Sequence, residues 1–309
     1  MSFLLLAAAI AAAPINRTLS APGPEGALAG TLVDAGKGAP LAVIIPGSGP
    51  TDRDGNNPMG IKAQPYKLLA EALGRQGISS VRIDKRGMFG SKAALANPDK
   101  VTIADYAADV HAWAKVARAT TGAKCAWLIG HSEGGLVALK AGQDRTDICG
   151  VVTVSAMGRN FGDVLGEQLK ANPANGPILE PALAAIEALK AGHSVPLDQL
   201  PPPLPMLFGP QVQPYLIDLM AQDSASLAAS LRVPLLILQG DRDVQIGLPD
   251  AEALKKANPR ATLVVLPGVT HVLKLADGAD RASNLKTYTD PDLPIASGVV
   301  SAIADFVKR

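Results

Sequence analysis

Short apolar runs alternate along this chain with longer amphipathic segments, and glycine or proline marks most of the changes between them. Six runs have the length and branched composition of buried strands: 41–45, 79–83, 125–129, 148–155, 233–239 and 261–266. A shorter apolar run at 31–33 precedes them. Segments with helical periodicity, such as 66–75 and 103–118, separate several of the strands. This alternation predicts an α/β fold, a mainly parallel sheet with helices on both faces.

The alternation stops between 156 and 231, where helical patches are separated by prolines. This change predicts a helical insertion, 156–231, in a core formed by 14–155 and 232–309. The run Pro201-Pro202-Pro203-Leu204-Pro205 fits a stiff connection within the insertion. A polyproline ligand for another protein is the weaker interpretation, because the run lacks the flanking basic residues and disordered context of such ligands.

The composition favours one large domain. The chain has 309 residues, of which 48% are hydrophobic and only 4% aromatic, so we expect close packing of small side chains. Its net charge is +1, with both signs interspersed. This balance gives no electrostatic reason to expect binding to nucleic acid or to an acidic membrane surface. No spacing of Cys and His resembles a metal site, and we expect neither a metal nor a cofactor.

The first 13 residues are apolar apart from Ser2 and too short to span a bilayer as a helix. The run at 3–10, followed by small residues, has the length of the hydrophobic region of a signal peptide. We therefore expect export to the periplasm or the medium, without stable membrane insertion. No Lys or Arg precedes the run, and Pro14 is unfavourable beside a cleavage after Ala13. A cytoplasmic protein with an apolar N-terminal segment is the alternative.

The two cysteines, Cys125 and Cys149, fall near the starts of two successive predicted strands. We expect two buried free thiols, because a link across a regular sheet needs Cα separations and Cβ directions that ladders rarely supply. A disulfide is the alternative.

The segment Gly130-His131-Ser132-Glu133-Gly134 fits the pattern G-x-S-x-G between a predicted strand and a predicted helix. A serine on such a sharp turn has its hydroxyl pushed out of the sheet, beside free N–H groups of a helix N-terminus that can hold an oxyanion. Glycines allow a turn that is too tight for side chains. The pattern is common, so Ser132 becomes a candidate nucleophile only if an acid and a histidine follow in suitable places.

Both groups follow, each after the end of an apolar strand. The strand at 233–239 runs into Asp241 and Asp243, and the strand at 261–266 is followed by His271. The order serine, acid, histidine is that of α/β-hydrolases and differs from the orders in the chymotrypsin and subtilisin folds. Either aspartate could orient the histidine.

Four further segments carry a family resemblance. They are PGSGPTDRDGN at 46–56, DKRG at 84–87, QPYL at 213–216 and HVLK at 271–274. With them the chain resembles the α/β-hydrolase superfamily, and within it the bacterial serine esterases and related acyl hydrolases, from about Thr31 to the C-terminus.

This resemblance implies roles for individual residues. The acid is expected three residues after Gly240, which is Asp243, and Asp241 is then a turn residue. The insertion at 156–231 is expected to form a lid over the pocket. The residues themselves indicate His271 as the base, because of the four histidines it alone follows a late apolar strand, whereas His131 is expected to support the serine turn because neighbouring side chains on a tight turn point apart.

An oxyanion hole needs two donors that converge on one point. We expect one from the backbone N–H of Glu133, directly after the nucleophile, and the other from the N–H of Ser48, in the loop that supplies it in this fold. A phosphate cradle is the alternative for the glycine-rich loop, but the Walker lysine and the dinucleotide spacing are missing. The charged residues at 52–54 fit a network that braces this loop.

These features predict a serine hydrolase that cleaves small-molecule carboxylic esters through an acyl-enzyme on Ser132, with Asp243 and His271 completing the triad. A serine peptidase or a thioesterase on the same triad is the alternative, because the triad does not distinguish ester, thioester and amide. A non-catalytic ligand-binding protein on the same fold is a further alternative. The oligomeric state cannot be predicted from the sequence.

Overall fold

A computed structural model of the protein describes residues 15–309 apart from 96, 98, 99 and 145. The segment 1–13, for which the sequence predicts a signal peptide, lies outside the described residues. Within the described part, none of the helices has the length and apolarity needed to cross a membrane.

Eight strands of the described chain form one sheet, in the order β1-β2-β4-β3-β5-β6-β7-β8. Their bounds are β1 Ile15–Pro22, β2 Ala27–Asp34, β3 Leu41–Ile45, β4 Ser79–Ile83, β5 Ala126–His131, β6 Ile148–Val154, β7 Leu235–Gly240 and β8 Thr262–Leu266. Strands β1 and β2 join as an antiparallel pair, and β2 is antiparallel to β4. All pairings from β4 to β8 are parallel, which confirms the predicted mainly parallel sheet.

Helices cover both faces of this sheet, as predicted. The helices that follow core strands are α1 Pro65–Arg75, α2 Ile103–Thr121, α3 Glu133–Ala141, α9 Leu248–Ala257, α10 Arg281–Thr289 and α11 Ser297–Val307. Buried residues of α1 and α11 pack on one face, and those of α2, α3 and α9 pack on the other. Helix α2 begins with a capping box, in which Thr102 and Asp105 bond each other's backbone N–H groups.

The parallel registers bring the functional loops to one edge of the sheet. Ile45 at the end of β3 pairs with Gly130 near the end of β5, so the loop after 45 and the serine turn are neighbours. Gly240 at the end of β7 pairs with Leu266 at the end of β8. The loops that carry the candidate acid and histidine therefore begin side by side.

Strand β1 is an element that the sequence patterns do not reveal. Most of its residues are exposed, and only Ala21 is fully buried. An edge strand that pairs with one neighbour needs no apolar face, so it carries no period-two hydrophobic pattern.

The expectation of two free thiols is wrong, because Cys125 and Cys149 form a disulfide with a Cα–Cα distance of 5.3 Å. Ala126 pairs with Ile148 and Trp127 with Gly150, so Cys149 is the extra residue of a bulge in β6. A bulge re-aims its side chain away from the regular ladder direction. The Cβ directions of a regular ladder, which disfavour a disulfide between neighbouring strands, therefore do not apply at this position.

Five helices lie between β6 and β7: α4 Phe161–Lys170, α5 Leu179–Lys190, α6 Pro205–Phe208, α7 Gln213–Met220 and α8 Ser224–Ser230. Short 3₁₀ turns occur at Pro173–Ile178 and Leu197–Gln199. This insertion has a hydrophobic cluster of its own, made of Leu169, Ala182, Ala185, Ile186, Leu189, Val195, Leu200, Leu204, Phe208, Leu216 and Met220. The proline-rich run lies inside it, with Leu204 completely buried.

Candidate active site

Ser132 lies on the turn between β5 and α3, where its backbone takes φ 55° and ψ −122°. Residues other than glycine rarely adopt such backbone angles, and strain of this kind is concentrated at functional sites. A Cβ atom at Gly130 would collide with the Gly134 carbonyl, and one at Gly134 would collide with Ile45 at the end of β3. The two glycines therefore allow the turn to form so close to β3. Ser132 itself is 9% exposed.

Glu133 is the first residue of α3. The N–H groups of a first helical turn have no intrahelical acceptor, and the helix dipole makes this end favourable for negative charge. The turn is attached to the end of β6, because the Ser132 N–H donates to the Val154 carbonyl at 3.0 Å. The N–H of Glu133 therefore lies at this helix end, directly after Ser132, and its role as an oxyanion donor stays a prediction.

Asp243 and His271 meet at the carboxyl edge of the sheet. His271 Nδ1 lies 2.8 Å from Asp243 Oδ2, and the acid's side chain is completely buried. Asp243 Oδ1 accepts from the N–H groups of Gln245 and Ile246 at 2.8 and 2.9 Å. Burial alone raises the pKa of Asp243, but His271 and these backbone donors outweigh it and hold the pKa below its usual value. The carboxylate is therefore ionised and oriented toward the imidazole.

Asp241, the other candidate acid, has a different position. Its carboxylate accepts from the N–H of Gly268 at 2.7 Å in an exposed contact between two turns. The structure thus pairs Asp243 with His271 and leaves Asp241 as a turn residue.

His131 connects the serine turn to the His271 loop. Its Nε2 lies 2.8 Å from the His271 carbonyl oxygen, so Nε2 carries the proton and donates. Nδ1 then accepts from the Tyr66 hydroxyl at 2.8 Å. The rings of His131 and His271 lie 4.6 Å apart, which places the candidate base beside the serine turn. Burial, followed by the nearby His271, lowers the pKa of His131 to about 3, so the ring is neutral.

The loop after β3 lies directly against Ser132. A Cβ atom added to Gly47 would be 3.2 Å from the Ser132 Cβ, so little space is left between them. The Gly47 N–H donates to the Tyr66 hydroxyl at 3.0 Å. Its carbonyl accepts from Lys85 Nζ at 2.8 Å. Both backbone groups of Gly47 are therefore held by side chains. The next residue is Ser48, whose N–H is the second expected oxyanion donor.

The charged run at 52–54 braces this loop, as the sequence predicts. Arg53 Nε donates to Asp84 at 3.0 Å, and Arg82 Nε donates to Asp54 at 3.0 Å. Asp52 accepts from the backbone N–H groups of two residues in its own turn.

Sequence reasoning missed Tyr66 and Lys85 as parts of this site. Tyr66 lies on α1 and Lys85 follows β4, so each reaches the site from a distant part of the chain. The resemblance includes Lys85 within its DKRG segment, but no pattern assigns it a contact.

Two further histidines have other surroundings. His111 bonds Asp147, the residue before β6, and His193 is exposed in the insertion. Among the described residues, no group of three or more His, Cys, Asp or Glu side chains could hold a metal ion.

Comparisons with known proteins agree with this architecture. The family model described as serine aminopeptidase, S33 (Hydrolase_4), matches residues 59–174, a region that includes Ser132. Esterase EstD of Thermotoga maritima is 28% identical over 248 residues, which cover 77% of this chain and 56% of EstD. The chain therefore spans little more than half the length of this curated relative.

Solved structures extend the likeness to nearly the whole chain. Esterase Pf2001 of Pyrococcus furiosus has a TM-score of 0.58 at 17% identity, with 96% of this chain and 91% of that chain covered. Est1E of Butyrivibrio proteoclasticus, solved with ferulic acid bound, has a TM-score of 0.58 at 16% identity, with coverage of 94% and 100%. Proline iminopeptidase of Mycobacterium smegmatis has a TM-score of 0.59 at 14% identity, with coverage of 94% and 98%. Identities this low establish the fold and nothing finer. Sheet order and these structures together show that the chain has the α/β-hydrolase fold.

Proposed function

We propose that this protein is a serine hydrolase that cleaves carboxylic esters through an acyl-enzyme on Ser132. The observation that carries the proposal is the strained serine turn at a helix N-terminus, beside a buried pair of Asp243 and His271. Acyl transfer requires a nucleophile, a base and an orienting acid, and Ser132, His271 and Asp243 supply these three groups at one edge of the sheet.

The chemistry assigns one role to each group. Asp243 holds His271 Nδ1, which leaves Nε2 to take the proton of the Ser132 hydroxyl as Oγ attacks the ester carbonyl. The N–H groups of Glu133 and Ser48 stabilise the negative charge on the tetrahedral intermediate. His271 then protonates the leaving alcohol, and the acyl group remains on Ser132. Water activated by the same imidazole releases the acid.

Relatives support an ester as the substrate. EstD and Pf2001 are named esterases, and Est1E has been solved with ferulic acid bound. The chain spans only part of EstD, so the transfer of its activity to this chain belongs to the proposal.

A serine peptidase is the second candidate, because the matching family model is described as serine aminopeptidase. An aminopeptidase must bind the free ammonium group of its substrate, and a carboxylate is the usual partner for such a charge. Glu133 and Asp243, the carboxylates of the serine turn and of the proposed triad, are already paired with Lys85 and His271. Their pairing favours an uncharged ester over a free amino terminus.

The insertion is proposed to act as a lid. Ser132 and His271 are only 9% and 5% exposed, and movement of a covering element would give a substrate access to them. Two contacts attach the insertion near the site: Gln168 of α4 bonds the Gln245 carbonyl, and Tyr215 of α7 packs on Tyr106. Apolar groups in this region would hold the acyl chain above the triad.

We also propose that the protein works in an oxidising compartment, outside the cytoplasm. The disulfide between Cys125 and Cys149 supports this, because such bonds persist mainly in the periplasm or outside the cell. To test this, the protein is isolated from its own cells and treated with a thiol-alkylating reagent, and its mass is then measured. Two alkylated cysteines would contradict the proposal, whereas an unalkylated chain that lacks the apolar N-terminal segment would support it.

Replacement of Ser132 by alanine tests the proposed function. We expect the loss of p-nitrophenyl ester turnover by a factor of about 10⁶, as for removal of a triad serine elsewhere, with little change in melting temperature. A fluorophosphonate probe should label the wild type at Ser132 and leave the variant unlabelled. Acyl-thioester and aminoacyl substrates measured in parallel separate the alternatives. Retention of most ester turnover by purified Ser132→Ala would disprove the mechanism.

A further inference from the structure

Lys85 is a buried cation between the two loops that the proposed mechanism uses as oxyanion donors. It follows β4, and its side chain is 5% exposed. Its Nζ donates to the Gly47 carbonyl at 2.8 Å and to Glu133 Oε1 at 3.3 Å. Nζ also lies 5.5 Å from the centre of the Tyr106 ring, which covers it. One ammonium group therefore contacts a residue of each loop.

The contact with Gly47 fixes the direction of the Ser48 donor. The Gly47 carbonyl and the Ser48 N–H belong to the same peptide unit, and in a trans peptide these two groups point in opposite directions. The only cis bond among the described residues joins Pro202 and Pro203. An ammonium that holds the carbonyl on one side thus turns the N–H to the other side. It also polarises the peptide, which makes this N–H a stronger donor.

The contact with Glu133 fixes the second donor. Glu133 is 1% exposed, and its side chain reaches back to Lys85 while its backbone N–H begins α3 beside Ser132. The ion pair thus sets the spacing between the Glu133 backbone and the Gly47 peptide. Electrostatic stabilisation of an oxyanion depends on donors that are already in place before charge develops.

The neighbouring cation has no such connection. Arg86 bonds Asp109 at 2.7 Å and Asp105 at 3.0 Å, both on α2. Its side chain is buried to a similar degree, at 8% exposed. Lys85 and Arg86 therefore form a matched pair: both are buried cations in ion pairs, but only Lys85 reaches the loop after β3.

We propose that Lys85 is the positioning residue of the oxyanion hole, holding the Ser48 and Glu133 N–H groups in one fixed arrangement through the Gly47 carbonyl and the Glu133 carboxylate. The proposal rests on the proposed ester hydrolysis at Ser132. Lys85 touches no reacting atom, and its effect is transmitted through the peptide that carries the donor.

The test compares Lys85→Met with Arg86→Met in the full chain. Loss of a correctly aimed oxyanion donor lowers kcat by about 10²-fold in Lys85→Met, whereas KM changes little because the substrate carbonyl gains most of these contacts in the transition state. Affinity for a trifluoromethyl ketone, which forms an oxyanion on the serine, falls by a similar factor. Affinity for the carboxylic acid product stays near that of the wild type. Arg86→Met lowers the melting temperature but keeps kcat and the affinity for the ketone.

A double variant separates positioning from the cost of an unpaired buried charge. Lys85→Met leaves the Glu133 carboxylate without its partner, and Lys85→Met combined with Glu133→Gln removes that charge as well. The double variant should regain melting temperature and still show the low kcat. Recovery of kcat together with stability would overturn the proposal, as would wild-type kcat in Lys85→Met. A wild-type protein without ester turnover or labelling at Ser132 would overturn the proposed function itself, so the two failures are distinct.

Discussion

The α/β core holds its candidate catalytic groups with buried hydrogen bonds and ion pairs, whereas the insertion between β6 and β7 packs around a hydrophobic cluster of its own. In the core, the side chains of Lys85 and Glu133 are 5% and 1% exposed. In the insertion, Lys190 and Asp163 form an ion pair with side chains 25% and 52% exposed. Exposed pairs contribute little to stability, so the insertion depends on its own hydrophobic cluster.

This difference separates two tasks. Directional bonds fix atoms to within a fraction of an ångström, and the transfer of a proton and the stabilisation of an oxyanion need such accuracy. Apolar packing tolerates changes in side-chain shape, and it suits an element that selects substrates and moves. The comparison predicts that changes in the core alter reaction rate and changes in the insertion alter selectivity.

The largest effect is expected at the buried acid. Asp243→Asn should lower kcat by about 10⁴-fold, because the amide no longer stabilises the required tautomer and charge of His271. Asp241→Asn is the matched control, since that carboxylate follows the same strand and bonds the Gly268 N–H in an exposed turn. It should keep kcat within a few-fold of the wild type. Steady-state kinetics on a short ester measures both, and the reverse ranking would assign the acid to Asp241.

A smaller effect is expected in the pH dependence of stability, because the core buries a neutral histidine. The pKa of His131 is about 3 in the folded protein, against an ordinary value of 6.5. Between these values the unfolded chain binds a proton that the folded chain does not, so stability falls as the pH falls below 6.5. By pH 5 the loss due to this group is at most about 2 kcal/mol.

Thermal unfolding between pH 7 and pH 5 tests this expectation. His131→Gln keeps a donor toward the His271 carbonyl and an acceptor for Tyr66, and it should show a weaker pH dependence than the wild type. His193→Gln removes an exposed histidine from the insertion and serves as the control. Equal slopes for the wild type and His131→Gln would show that burial of this ring does not govern acid stability.

The smallest effect is expected at the attachment of the insertion. Asp218 of α7 accepts from the Ile103 N–H at 2.7 Å, at the N-terminus of α2. An acidic group at this end of a helix is worth about 0.3–1 kcal/mol, so Asp218→Asn should loosen the insertion slightly. We expect KM for long acyl chains to change up to about fivefold, with unchanged kcat on acetyl esters.

Asp223→Asn is the matched control, because Asp223 caps α8 by accepting from Ser226 and makes this contact within the insertion. A series of p-nitrophenyl esters of increasing chain length measures both variants. A uniform fall in kcat for all chain lengths in Asp218→Asn would place this part of the insertion in the catalytic machinery and contradict its proposed role as a lid.

Local patterns were sufficient for much of the fold. The strands Leu41–Ile45 and Ser79–Ile83 have the predicted bounds, because a fully buried parallel strand is a continuous apolar run that ends at turn residues. The serine turn was equally evident, since its tight geometry requires glycines at fixed positions in the sequence. The choice of Asp243 over Asp241 came from the family resemblance, because both residues follow the same strand.

The sequence by itself determined the α/β alternation, the position of the insertion and the serine, acid and histidine candidates in their order. Each of these depends on spacing along the chain or on the chemistry of single residues. Only the tertiary structure decided the contacts of Tyr66 and Lys85 with Gly47, and the bond between Cys125 and Cys149. These contacts depend on strand register, a bulge and the directions of side chains from distant elements, none of which leaves a local pattern.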